Sequence, residues 1–482
     1  MKNKFLVYVM ALVLAACTPS PSNVKVVNED VPMYPDYTDV TIPVNIAPLN
    51  FLLRSEAEAV CVMANDEQLY LGNGNEVVLD EDEWHDLLAK NAGKSIQVRV
   101  MAKEKDGWKE YKSFAWNVVA DKVDPYLTYR LIEPAYEVYN NLVLQERCVE
   151  NFETTDFSDY KLVGNKCMNC HNYAGQNPDM TMFYLRGEGG GAILNQKGKL
   201  TKLDLKTEDM VSGSVYFGFA PGKKHIVFST NKIIPAFHSQ GSNRLEVFDT
   251  KSDVYVADLE NHTFIRSELL TDSAEVETFP TFSSDGKYIY YCTAHTIDSI
   301  GALRHQRYSL CRIAFDEATG TIGSSVDTIY NARTEGKSVC HPRFSPDGRF
   351  LVFSTASYGT FPIWHRDARL EIMDMATMEH RPMQLESRTP NVGSDSYHSW
   401  SSNSRWLVFA SKRDDGLYGK PYYTYVNKEG VCSKPFVLPQ AHPTFYDNFL
   451  KSFNAPEQGT GKLPFTAKDV KNVLETSAIS FH

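Results

Sequence analysis

At 482 residues and a net charge of −11, the chain is long enough for two or three domains, and 43% apolar with 12% aromatic residues supplies their cores. The acidic balance, with no basic run along the sequence, argues against nucleic acid or an anionic lipid surface as a partner.

Residues 1–17 open the chain with Lys2, Lys4 and an apolar run over 5–14, the layout of a secretory signal peptide. About ten apolar residues are too few to span a bilayer, where about 20 are needed. The run closes on Leu14-Ala15-Ala16-Cys17, which resembles the bacterial lipoprotein signal. That resemblance implies that Cys17 is lipidated and that the mature chain begins there. Thr18 is not the aspartate that retains some lipoproteins at the inner membrane, and no acidic cluster follows. The expected location is the outer membrane, facing the periplasm, with 18–35 as a flexible tether.

Residues 36–122 are expected to form a small Ig-like β-sandwich. Alternation over 59–63 and 95–101 is strand-like, and 80–90 is a helix with acidic residues in its first turn. Nothing in it carries chemistry, so its expected role is a spacer or partner-binding module.

The segment 123–180 is expected to connect this domain to the next and holds Cys167-Met168-Asn169-Cys170-His171. Two thiols three positions apart can add to the two vinyl groups of one porphyrin, and the following histidine serves as proximal iron ligand. The reading is one covalent haem c per chain on Cys167, Cys170 and His171. A Cys167–Cys170 disulfide beside an unrelated histidine is the alternative. A zinc site lacks a second cysteine pair at ligand spacing.

Four segments then share one template: an aromatic, a turn, a basic residue and an aliphatic seven positions on. They run over 219–226, 282–289, 344–351 and 400–407, starting at Phe219, Phe282, Phe344 and Trp400, with spacings of 63, 62 and 56 residues. Asp285-Gly286 and Asp347-Gly348 supply the positive-φ turns of tight hairpins, while Gly222-Lys223 and Asn403-Ser404 alter that pattern. The spacing predicts propeller blades over 181–450. The template resembles the PD40 or TolB-like β-propeller repeat, and the fold expected is all-β. Six blades are favoured, with a sixth formed from 127–132 and 143–148 closing the ring. A short helix over 466–476 lies in the expected C-terminal tail, 451–482. Cys292 and Cys311 are expected either to bridge or to be buried thiols.

Strand order places the long connections 231–253, 294–308 and 356–369 on the face where the innermost strands begin. His238, His295, His305, His365, His341 and His398 are expected to gather there, at the mouth of the central channel. His238 is the expected distal iron ligand, with Met180 the alternative. The stretch from Tyr129 through the motif, with Ala236-Phe237-His238 and Asn243-Arg244-Leu245-Glu246, also resembles a Bacteroidetes family of PD40 lipoproteins with a CxxCH motif.

The leading functional reading is a lipid-anchored periplasmic haem c propeller acting in electron transfer or redox sensing, with a periplasmic protein or redox partner. A TolB-like interaction scaffold with the disulfide, and a haem oxidoreductase with an open distal site, are the alternatives. No Gly-x-Ser-x-Gly or His-Glu-x-x-His motif supports a hydrolase.

Overall fold

The computed structural model describes residues 20–133, 141–164, 167–187, 189–237, 245–297, 299–385 and 393–482. Cys17 and His238 lie outside these described residues.

The N-terminal unit is the expected two-layer sandwich. Its larger sheet is built on the long strand Lys94–Glu104, which pairs with Ala59–Ala64, Gly107–Glu110 and Phe114–Val119. A three-stranded sheet of Met33–Tyr34, Phe51–Leu53 and Glu76–Val77 forms the second layer. The helix Glu81–Lys90 starts at Asp80, whose carboxylate accepts from the backbone of Asp82 and Glu83. Its Trp84 is fully buried edge-on to Trp116, and the Trp84 indole donates to the carbonyl of Ile46.

Six sheets follow, and their innermost strands touch in cyclic order. Blade 1 runs outward from Ser452–Gly459 through Tyr126–Ile132, Val143–Cys148 and Thr154–Asp159. Blade 2 comprises Met168–Ala174, Asn177–Leu185, Gly191–Gln196 and Lys199–Asp204. Blade 3 comprises Ser214–Phe219, His225–Phe237, Leu245–Asp258 and Thr263–Ile265; blade 4, Glu275–Phe282, Tyr288–His295, Ser309–Asp316 and Thr321–Tyr330. Blade 5 comprises Ser338–Phe344, Phe350–Ala356, Arg369–Asp374 and Glu379–Pro382; blade 6, Asp395–Trp400, Trp406–Ser411, Lys420–Tyr425 and Phe436–Val437. The chain is thus a six-bladed β-propeller preceded by a β-sandwich. Sequence-distant strands close blade 1 and so complete the ring, each blade keeping only its outermost strand as an edge.

The repeated template is the hairpin between the first and second strands of a blade. Phe219 pairs across the ladder with Ile226, Phe282 with Ile289, Phe344 with Leu351 and Trp400 with Leu407. Gly286 and Gly348 take φ of 72° and 70°, and Lys223 and Ser404 reach 62° and 61° at the same place. The altered turns therefore keep the geometry, with two non-glycine residues held in the left-handed region.

Two expected boundaries move. The 123–180 segment is not a connector: it contributes three strands to blade 1 and the innermost strand of blade 2. The 451–482 segment is not a tail either. Ser452–Gly459 completes blade 1, and Ile479–Ser480 adds a fifth strand to blade 2. Between them, the helix Ala467–Leu474 is closed by a Thr466/Asp469 capping box and buries Val470 and Val473. None of these strands carries the Asp-Gly template; in blade 1 the innermost strand joins from the far end of the chain.

The sandwich is fastened to the ring. Asn45 exchanges two hydrogen bonds with the backbone of Val123, Arg54 pairs with Asp447 at 2.8 Å, and the Trp406 indole donates to the carbonyl of Asp121. One apolar cluster runs from Trp84 and Trp116 to Trp400, Trp406 and Phe453. Cys292 and Cys311 are both buried free thiols on neighbouring strands, not a bridge.

Candidate functional site

Each innermost strand carries one extra residue at the same level of the ring. The ladder shifts between Val215 and Gly218, Thr278 and Thr281, Cys340 and Arg343, and Ser396 and His398. In blade 1 it shifts opposite Thr128/Arg130, and in blade 2 between Asn169 and Asn172. The bulged residues Tyr216, Phe279, His341, Tyr397 and Ala455 have φ of 54°, 50°, 53°, 40° and 48°. Such values are rare for bulky side chains, and bulges of this kind re-aim a side chain beside functional sites. Here they turn five side chains toward a funnel on the channel axis. The sixth bulge is Cys170-His171.

The funnel opens on the face where the innermost strands begin. Its floor is lopsided. The His341 ring lies 3.9 Å from Phe279, 4.7 Å from Tyr397 and 6.1 Å from Tyr216, centroid to centroid, so rings from blades 3–6 fill that side. Blade 1 presents Ala455 at this level, and Cys167 and His171 of the CxxCH strand line the funnel on the same side.

On that side, Cys167 is half-buried in the funnel wall at the start of its strand. Of Cys170 only the backbone is described, within Met168–Ala174. His171 is 6% exposed, and its ring bonds to the backbone of Thr128 in blade 1. Its Nε2 is buried with no hydrogen-bond partner. Burial lowers its pKa to about 4 against the pull of the Thr128 bond, so the ring is neutral at pH 7. A ring fixed through one nitrogen by a backbone carbonyl leaves the other lone pair available to a metal, an arrangement that His398 shares. His171 and Cys167 are compatible with a haem, in which the motif's two cysteines would hold the porphyrin edge and His171 the iron. The motif runs into the strand Met168–Ala174, with the bulge at Cys170-His171, so it is extended and not helical.

The funnel wall is cationic although the chain is acidic. Arg130, Arg186, Arg343 and Lys412 face Glu133 and Glu457 there. Arg343 donates to Glu457 at 2.7 Å; burial nonetheless lifts the Glu457 carboxyl to about 7. Burial lowers the Lys412 ammonium to about 8.

The other expected site residues scatter. His341 does face the channel, with both ring nitrogens shielded and unpartnered, and burial holds its pKa well below the ordinary value. His398 does not reach the mouth: its Nε2 is 2.9 Å from the carbonyl of Val352, tying blade 6 to blade 5, and Tyr397 takes the funnel position. His365 is buried edge-on to Tyr358 at 4.5 Å and braces the loop whose Ile363 and Trp364 line the funnel. His295 is 79% exposed, paired with Glu275 at 2.5 Å, and His305 is exposed as well. Met180 lies toward the opposite end of its strand from Cys167, packed with Met182, Leu194 and Phe217 between blades 2 and 3. It cannot serve as the alternative iron ligand.

Sequence reasoning missed Tyr216, Phe279, Tyr397, Lys412 and Trp364. A signal for the bulges was present in Phe279-Pro280, His341-Pro342 and Ala455-Pro456, because proline inside a strand marks a bulge. Lys412 and Trp364 carried none.

Among the described residues no helix is long and apolar enough to cross a membrane. No family model and no curated protein matches the chain. Among solved structures it is similar to prolyl oligopeptidase B from Galerina marginata, with 11% identity and a TM-score of 0.35 over 71% of this chain and 42% of that one. A puromycin-hydrolyzing peptidase of Mycobacterium tuberculosis matches at 10% identity and TM-score 0.35, over 86% and 57% of the two chains. An endo-arabinase from Bacteroides thetaiotaomicron matches at 9% and 0.28, over 54% and 89%. The chain thus spans about half the length of the two peptidases.

Proposed function

We propose that the chain carries one covalent c-type haem in the mouth of its propeller funnel, and works in electron transfer or redox sensing at the periplasmic face of the outer membrane, anchored through Cys17. The observation that carries this reading is the buried, unpartnered Nε2 of His171, oriented through Thr128 and set beside Cys167 on the wall of the funnel. The bound group would supply one-electron exchange. The chain's own residues do the rest: His171 offers a neutral imidazole, the aromatic floor excludes water from one side, and the cationic wall balances acidic groups. His238 stays the expected distal ligand.

Protein made with a haem c maturation system, then denatured and acid-washed, should give a pyridine-haemochrome spectrum. Cys167→Ser with Cys170→Ser should abolish it. A colourless wild-type product from a maturation-competent host would overturn the proposal.

A further inference from the structure

Blade 6 buries three cations around the strands Trp406–Ser411 and Lys420–Tyr425: Lys412, Arg413 and Lys420, at 6%, 9% and 5% exposure. Two of them have a carboxylate. Arg413 pairs with Asp395 at 3.0 Å, and Lys420 with Asp414 at 2.7 Å. Lys412 has no such pair: among the described residues its ammonium makes no ion pair or hydrogen bond, Asp415 acts on it only through space, and it sits 4.4 Å from the centre of the Trp364 ring. Its position is fixed, since its backbone N–H donates to Ser394 and its carbonyl packs where a Cβ at Gly393 would stand. Of the three, only Lys412 lines the funnel. A buried ammonium without a paired counter-charge is costly unless a ligand brings one.

We infer that Lys412 is an acid-binding residue of the funnel, holding the carboxylate of a ligand whose flat apolar body lies among Trp364, Phe361, Ile363 and the Tyr216/Phe279 floor. The charge partner is missing from the protein because the ligand supplies it. Burial in that apolar wall would strengthen the ion pair beyond its worth at a surface. The inference rests on the funnel as the ligand site, not on covalent attachment. Under the haem reading the carboxylate is a propionate; otherwise it belongs to a free aromatic acid.

The test uses the full chain made without haem c maturation, titrated with protoporphyrin IX and with its dimethyl ester, following porphyrin fluorescence. The wild type should bind the free acid about tenfold or more tighter than the ester. Lys412→Met should lose that preference, and Lys412→Arg should restore most of it, with circular dichroism matching the wild type throughout. An equal preference in Lys412→Met, or a wild type that binds the ester as well as the acid, overturns the inference. Displacement of the porphyrin by 2-naphthoate, dependent on Lys412, assigns the site to free aromatic acids; failure to displace assigns it to the porphyrin acid. The two proposals fail separately. A haemochrome-positive protein without acid preference sinks only the role of Lys412, and a colourless protein with acid preference sinks only the covalent haem.

Discussion

Replacing Lys412 by methionine keeps an unbranched side chain over Trp364 and removes the buried charge. Burial lowers this ammonium from 10.5 to about 8, with Asp415 the charge that opposes the fall. At 1.36 kcal/mol per pH unit, that depression means the charged form costs about 3 kcal/mol in the folded state at pH 7. Loss of the cation–π contact returns about 1 kcal/mol, so Lys412→Met should be about 2 kcal/mol more stable than wild type. The sign with pH follows from the direction of the shift. Between about 8 and 10.5 the unfolded lysine holds its proton and the folded one has released it, so wild-type stability rises with pH across that window. Urea denaturation at pH 7 and at pH 10.5 should therefore show the advantage of Lys412→Met shrinking at the higher pH. A variant less stable than wild type at pH 7, or an advantage that does not change with pH, would refute the account of Lys412 as a charge buried without a partner. A position that weakens the fold and faces the ligand funnel is the pattern of a residue kept for binding.

His341→Phe should stabilise the chain by about 1–3 kcal/mol, read by chemical denaturation, because two shielded and unpartnered ring nitrogens give way to an apolar ring among Phe279, Tyr216 and Tyr397. Lys223→Gly should gain about 0.5–1 kcal/mol in the same measurement by relieving a left-handed residue at an exposed turn. Trp406→Ala should lose about 3–5 kcal/mol, and limited proteolysis should then cut near residue 121, where the indole now holds the sandwich to blade 6. A chain ending before Ser452 lacks the innermost strand of blade 1, and size-exclusion chromatography should find it aggregated, because Tyr126–Ile132 becomes an open edge.

Local patterns were legible along the chain. The aromatic-to-aliphatic spacing of the template is a cross-strand pair, Phe219 with Ile226 or Trp400 with Leu407, so the period of the sequence is the geometry of the hairpin. Four blades followed from that period, and the helix at Glu81–Lys90 from its acidic first turn. The CxxCH motif, too, is a local string. What the chain could not reveal depends on contacts between distant segments. The closing strand Ser452–Gly459 has no template, because its partner lies more than three hundred residues earlier. The histidines illustrate the same limit. Placing His341 and His398 near one channel mouth was a matter of counting from the template aromatics, but a single bulge residue decides which side chain faces the axis. It turned His341 inward and gave the corresponding place in blade 6 to Tyr397, leaving His398 in the wall. Lys412 reads in sequence as one more surface lysine. Only the packing of blade 6 buries it at the funnel wall while its neighbours Arg413 and Lys420 take the available carboxylates. Periodicity fixes what neighbouring residues do to one another; burial and charge balance belong to the ring as a whole, where six bulges from six distant strands meet.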